Sequence, residues 1–290
     1  MDVTLTNEHL QVKIRKKGAE LYSVLSKDTE LEYMWNGDPK FWAKTSPLLF
    51  PIVGALKNDT YFYDGGSYSL PRHGFARDVI FEVSAQKPDG VTFSLSSSDS
   101  TMEKYPFEFE LQVEYKLVEN LLEVTYYVKN EADDKMYFSI GGHPAFKVPL
   151  TDNSKYEDSY LHFDRMENAE RWPVTSEGLI KDKPVSLIEN SSALGLTRSL
   201  FEEDALVFKN LKSDIISIKS HQHSHGLDFY FEGFPYLGIW AAKNADFVCL
   251  EPWCGIADSL SHDQQLQTKE GIETLLPNEL WSRTWKVRFY

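Results

Sequence analysis

Residues 107–117, F-E-F-E-L-Q-V-E-Y-K-L, alternate apolar and polar side chains without a break. A period of two is that of an extended chain, whose successive side chains point to opposite faces. Leu111, Val113, Tyr115 and Leu117 therefore share one face, and Glu110, Gln112, Glu114 and Lys116 share the other. That predicts a strand packed on one side and wetted on the other. Glu119-Asn120 is a short polar turn, beyond which Leu122, Val124, Tyr126 and Val128 resume the alternation, so the two runs predict an antiparallel hairpin.

Outward from this hairpin the same signal recurs. Residues 3–35 are short alternating runs turned at Lys16-Lys17-Gly18 and read as a β-meander. Asn36-Gly37-Asp38-Pro39 is a turn, and it leads through Phe41 and Trp42 into S-P-L-L-F-P-I-V-G, residues 46–54. Its two prolines exclude a helix and predict a buried extended loop or edge strand. A hairpin about Asp64-Gly65-Gly66 follows. Further strands are predicted over 79–83, 91–95, 136–140, 205–208, 215–219, 227–231, 237–240, 247–250 and 284–289. Residues 150–200 read as loop-rich and polar, with short strands only around Leu161-His162-Phe163 and Leu179-Ile180. Helical periodicity is scant, and neither a composition break nor a fixed repeat divides the chain, so a single all-β domain over 1–290 is expected.

Composition narrows the function. Hydrophobic residues make up 42% and aromatics 14%, as in a folded globular protein, and the longest apolar runs are too short to cross a bilayer. A net charge of −14 repels phosphate backbones and anionic lipid, so neither nucleic acid nor a membrane is an expected partner. A small molecule is. Local convergence of basic residues would still admit an anionic one. The N-terminal M-D-V-T-L-T-N-E-H-L has no basic segment followed by an apolar one, so a cytoplasmic protein, monomer or homodimer, is expected. The two cysteines, Cys249 and Cys254, lack a second pair at zinc-ligand spacing and read as reduced packing residues.

One stretch carries chemistry. In A-D-F-V-C-L-E-P-W-C-G-I-A-D, residues 245–258, Glu251 follows an apolar run and precedes Pro252, which predicts a half-desolvated carboxylate at a strand's mouth. Desolvation raises a carboxyl's pKa towards the working pH and so makes it a better proton acceptor there. Trp253 adds a broad apolar plate of the kind the C–H face of a sugar packs against. A structural ion pair is the ordinary alternative for a lone Glu. His143 repeats the device: Gly141-Gly142 precede it and Pro144 follows, so its imidazole stands clear at a strand's end. A carboxylate and an imidazole on opposite sides of one substrate group make an acid/base pair. His73 lies on the bend P-R-H-G, Arg77 four residues on could donate two parallel hydrogen bonds, and Asp204 ends an acidic run before A-L-V-F. His221, His223 and His225 would face one way on a strand, within reach of a single metal, but Ser220, Ser224 and Gly226 read as a turn, and no metal is expected there.

Five ordered motifs then resemble one family: S-P-L-L-F-P-I-V-G from Ser46, L-P-R-H-G-F-A-R-D from Leu70, Y-P-F-E-F-E-L-Q-V-E-Y-K-L from Tyr105, Y-F-S-I-G-G-H-P-A-F from Tyr137 and L-E-P-W-C-G-I-A-D from Leu250. Together they resemble the aldose 1-epimerases, or galactose mutarotase-like proteins, in their bacterial LacX-type branch. The resemblance implies a β-supersandwich of large antiparallel sheets with an open sugar cleft. It implies Glu251 as general base, His143 as general acid, and His73 and Asp204 as substrate-binding residues, with no metal or redox cofactor. Ala43-Lys44 stands where related sequences carry an arginine, so either Lys44 replaces that guanidinium or the role passes to Arg77. In the mechanism this implies, the acidic limb of the rate belongs to Glu251 and the alkaline limb to His143. A non-catalytic sugar-binding or sensor protein on the same fold is the rival reading, and a metal-dependent cupin-like enzyme built on the histidine cluster is a more remote one.

Overall fold

The structure, a computed structural model, describes residues 2–290. Its N-terminal meander is an antiparallel three-stranded sheet of Val3–Thr6, Leu10–Arg15 and Glu20–Ser26. Val3, Leu5, Leu10, Val12, Ile14, Leu21 and Val24 are its buried positions. Gly18, with φ +71°, makes the turn between the second and third strands, where a Cβ would lie 2.6 Å from the carbonyl oxygen of Arg77. Only glycine combines that backbone with that approach.

The remaining chain is dominated by one 15-stranded sheet whose neighbours are all antiparallel. From one end its order runs Leu48–Leu49, Ile140–Gly142, Phe247–Cys254, Tyr236–Trp240, Leu206–Lys209, Ser159–Trp172, Ile215–Ser220 and Leu227–Tyr230. It continues through Leu280–Phe289, Leu121–Asn130, Phe109–Val118 and Gly90–Ser96 to Glu82–Lys87, while Ala145–Lys147, on Phe247–Cys254, and Val185–Gly195, on Ser159–Trp172, pair off this path and complete the fifteen. A sheet of this size curls rather than lying flat, because each strand is twisted relative to the next. The core between the wetted faces is aromatic, with Phe50, Phe93, Phe109, Phe138, Phe146, Phe163, Phe208 and Trp285 buried. The meander closes on it by specific bonds: Tyr115 Oη donates to Ala19 O at 2.7 Å, and Tyr33 Oη donates to Tyr290 O at 2.6 Å. This is the all-β fold that the alternation predicts, built of the large antiparallel sheets that the resemblance implies. The central hairpin pairs Leu121 with Val118 and Asn130 with Phe109, and Leu111, Val113, Tyr115 and Leu117 are all buried.

Four expectations change. The strand foreseen at 79–83 begins only at Glu82, because Val79 O accepts from Gly18 N–H and Phe81 N–H donates to Lys16 O, tying this segment to the meander turn instead. The strand foreseen at 136–140 is two strands, Met136–Phe138 and Ile140–Gly142, since Ser139 N–H donates to Pro51 O and the chain changes partners there. Residues 150–200 contain a long bulged hairpin, Ser159–Trp172 with Val185–Gly195, rather than two short strands. Its alternation is broken by bulges and by a buried carboxylate: Glu167 Oε1 accepts from Lys212 N, Ser213 N and Ser213 Oγ. A buried polar residue with its bonds made is compatible with a strand, yet on sequence it reads as loop. Finally, Phe247–Cys254 runs through Glu251 and Pro252 instead of stopping at them.

Room for the indole of Trp253 on this long strand comes from glycines. A Cβ at Gly141 would lie 2.6 Å from Trp253 Cδ1, and one at Gly238 would lie 2.3 Å from Trp253 Cζ2. Gly238→Ala is therefore expected to displace the indole and to cost about 1–3 kcal/mol as an overpacking change. Equilibrium urea unfolding would read this as a lower midpoint with an unchanged slope.

Candidate functional site

The two strands that flank the site carry one register across a gap. Ile140 pairs with Cys254 and Gly141 with Trp253; after the interruption, Ala145 pairs with Cys249 and Phe146 with Val248. Extending either ladder inward sets His143 directly opposite Glu251. Backbone N–H groups alternate sides along a strand, and that of Leu250 donates to Pro144 O at 3.2 Å. The missing N–H of Pro252 thus falls on the same side, at the break, where no ladder bond is required of it. On its other side Pro252 stays in register with Leu237 and Glu251 with Gly238. Proline is tolerated in a buried strand because the partner has already parted from it there.

His143 Nε2 lies 3.2 Å from Glu251 Oε2, with both side chains almost wholly buried. They occupy the floor of a cavity of about 210 Å³. Trp42 stacks on the His143 ring at 5.0 Å, Trp240 meets it edge-on at 5.7 Å, and Trp253 forms part of the wall. The alternation along Phe247–Cys254 accounts for Glu251 and Trp253 sharing a face.

His73 is held on a bend with φ +70° by a reciprocal pair: its N–H donates to Gly54 O at 2.8 Å, and Gly54 N–H donates to its Nδ1 at 3.1 Å. An Nδ1 that accepts leaves the proton on Nε2, so His73 is a neutral donor. Burial pushes its pKa well below the usual value, helped by His143 and the two arginines. Asp204 accepts from Ala205 N–H at 2.8 Å and faces Arg72 Nη1 at 3.5 Å. Arg77 lines the cavity too, its Nη2 donating to Arg72 O at 2.8 Å.

The structure thus gathers Glu251, His143, His73, Asp204, Arg77 and Trp253 about one cavity. Lys44 is not among the lining residues; its Nζ pairs with Asp78 Oδ1 at 3.2 Å. Arg72, the guanidinium beside Asp204, was visible in sequence only as the neighbour of His73. Trp42 and Trp240 also escaped, since an aromatic at a strand's edge reads as core. Val174 and Ile180 come to the wall from the polar region that alternation could not resolve. The three sequence-clustered histidines do not converge: His221 stacks on Tyr160 at 4.6 Å and His223 Nδ1 sits 3.1 Å from His225 O.

Electrostatics at the floor follow from desolvation. Burial pushes Glu251 well above the usual carboxyl range, with Arg72 pulling it partly back and Asp204 adding to the rise. Burial likewise pushes His143 down to about 3. Both shifts oppose charge, so in the empty cavity the pair holds one proton and holds it on the carboxyl. Such a pair can take a proton from one oxygen of a ligand and return one to its neighbour.

The chain is similar along its length to known proteins. The aldose 1-epimerase family model matches residues 1–281. The LacX protein (chromosomal) of Lactococcus lactis subsp. lactis is 34% identical over 297 aligned positions, covering 99% of each chain. A galactose mutarotase related enzyme from Lactobacillus acidophilus superposes with a TM-score of 0.96 at 35% identity, covering 100% of this chain and 97% of the other. A galactose mutarotase-like protein from Lactobacillus casei superposes at 0.94 with 30% identity and full coverage of both.

The raised carboxyl has a consequence for stability. A group whose folded pKa lies above its unfolded value stabilises fully below the unfolded pKa, and that stability is lost as pH rises through the folded pKa. Replacing Glu251 by Gln removes the loss. The variant should melt at a higher temperature than wild type at about pH 8, with the difference shrinking towards zero near about pH 4. Differential scanning calorimetry across that range checks it; a variant less stable at the alkaline end would contradict the raised pKa.

Proposed function

Since the chain belongs to the aldose 1-epimerase family, we propose that it is a mutarotase, an isomerase that interconverts the α and β anomers of a hexose or hexose phosphate by opening and reclosing the ring. The observation that carries this reading is the opposition of His143 Nε2 and Glu251 Oε2, 3.2 Å apart, on the floor of an aromatic-lined cavity. A binding site alone needs no ionisable pair held together out of water at the cost both burial shifts record.

In the productive state Glu251 is the carboxylate and His143 the imidazolium, which is a tautomer of the one-proton pair. The Arg72 guanidinium and the sugar hydroxyls favour the carboxylate in that form. Glu251 takes the proton of the anomeric hydroxyl as the C1–O5 bond breaks, and His143 gives its proton to O5. The open aldehyde turns about C1–C2. Reversal of both transfers closes the other anomer and restores the pair, so no electron or group leaves and no cofactor is required. Each proton transfer is asked for about 10² to 10⁴ in rate. His73 Nε2–H, Asp204 and the two arginines are suited to hold the sugar hydroxyls, while Trp253 packs on the ring's apolar face.

Burial also revises the pH dependence expected from sequence. The one-proton pair is the working form. A second proton must go to His143, whose pKa is low, so the acidic limb belongs to His143 and lies near about 3. The last proton leaves a carboxyl held well above its usual range, so the alkaline limb belongs to the pair through Glu251. A broad plateau should separate the two.

Exchange spectroscopy by NMR across free and 6-phosphorylated hexoses tests the activity directly; saturable sugar binding with no exchange above the spontaneous rate would establish the binding-protein alternative instead. Glu251→Gln keeps shape but removes the basic lone pair, and should leave less than about a tenth of the exchange rate while much of the sugar affinity remains.

His143→Asn should also lose most of the rate. Its residual activity should show an acidic limb moved upward from that of wild type, because Glu251 must now ionise with no imidazolium to accompany it. Polarimetric rates against pH, corrected for spontaneous mutarotation, decide this; an unmoved acidic limb would assign the acid to another group, with His73 next.

A further inference from the structure

Cys249 has no part in the chemistry above, yet it lies beside it. It is two residues before Glu251 on the same strand and so shares its face, and its cross-strand partner Ala145 is two residues from His143. One ring nitrogen of His143, the Cys249 sulfur and one Glu251 oxygen all lie within 4.8 Å of one another, and all three residues are buried. Among the described residues this is the one such His/Cys/Asp/Glu group. It stands apart from the exposed carboxylate clusters that surfaces carry without consequence.

A second observation points to a ligand. Glu251 Oε2 is buried and has no hydrogen-bond partner among the described residues: His143 Nε2 is close enough but wrongly aligned. His143 Nδ1 is likewise unpartnered. A buried polar atom left without a partner is costly, and a cation that displaces the carboxyl proton satisfies it. Tetrahedral zinc with bonds of about 2.0–2.3 Å sets its ligand atoms roughly 3.3–3.8 Å apart. The His143–Glu251 separation of 3.2 Å is close to this, and no pair exceeds it by more than about an ångström. We propose that His143, Cys249 and Glu251 form an inhibitory site for a thiophilic divalent cation such as zinc, with the fourth position open to the cavity and therefore in competition with sugar.

The balance involves no redox step. One Zn²⁺ binds a thiolate, a carboxylate and a neutral imidazole; the thiol proton and the single proton of the acid/base pair pass to solvent, and the filled site is neutral. Zinc takes cysteine as the thiolate, so binding displaces protons and affinity should rise with pH. Ligand histidines ordinarily donate their second N–H to an outer partner, and His143 has none, so binding is weaker than at a resident structural zinc site. Bound metal occupies the lone pairs that accept and return the sugar's protons.

The test uses the tag-free full chain with Zn²⁺ and Co²⁺ as probes. Calorimetry in buffers of different ionisation enthalpy should find one Zn²⁺ bound with net proton release, and the Co²⁺ form should show a thiolate-to-metal charge-transfer band in the near ultraviolet. Cys249→Ser and Cys249→Ala should each lose that band and bind Zn²⁺ at least about tenfold more weakly, whereas Cys254→Ala should keep both properties. A band that persists without Cys249, or a zinc equivalent lost in His221→Ala with His223→Ala instead, would overturn the proposal. Should the Cys249 variants fail to fold by circular dichroism, the wild-type proton count and band decide alone, a value near zero protons counting against it. Inhibition of anomer exchange by zinc, reversed by chelation, rests in addition on the proposed activity; the band and proton count do not, so the two readings fail separately.

Discussion

The break in the ladder opposite Glu251 is the constraint around which the site is arranged. A strand that parts from its neighbour around His143 and rejoins it in the same register leaves two side chains facing each other across the break. Pro252 and Pro144 suit this place because neither must donate there. The glycines at 141 and 238 suit it because the indole of Trp253 needs the volume a Cβ would take. Aromatics close around the two side chains, and from that burial come both the downward shift of His143 and the upward shift of Glu251.

The same closure sets the working state of the pair. In water a carboxylate and an imidazole near neutral pH would carry a charge on one side; out of water both resist charge, and one proton is shared over a wide range of pH. That suits a reaction in which a proton must leave one sugar oxygen and another must arrive at its neighbour with no net change. It also means that the pair weakens the fold it sits in at pH values where one of the two buried groups must carry charge. The unpartnered Glu251 oxygen and the nearby Cys249 sulfur lie at the same buried place, where a thiophilic cation would meet thiolate, carboxylate and imidazole together.

The fold was legible in the sequence wherever one face is wet. The 107–128 hairpin, the N-terminal meander and the hairpin about Asp64-Gly65-Gly66 all follow from period-two alternation and turn residues, because burial of one face imposes that period. Alternation failed where it had no such cause. In Ser159–Trp172 the bulges reset the phase and Glu167 is buried with its donors around it, so a strand carries the composition of a loop. In Phe247–Cys254 every residue is buried, so there is no wet face to mark the strand's end and Pro252 was taken for a stop.

For the site, the residue types and their local rigidity were determined by sequence alone: a Glu after an apolar run, a His between glycines and a proline, and five ordered motifs that resemble one family. Composition likewise narrowed the expected partner to a small molecule. Which residues meet was decided only by tertiary structure. The register of strands distant in sequence opposes His143 to Glu251, draws Arg72 to Asp204, and leaves Lys44 on Asp78 instead of in the cavity. Protonation was decided there as well, since a pKa depends on how much water the folded chain excludes and on which charges it brings near, and neither quantity is a property of neighbouring residues in a sequence.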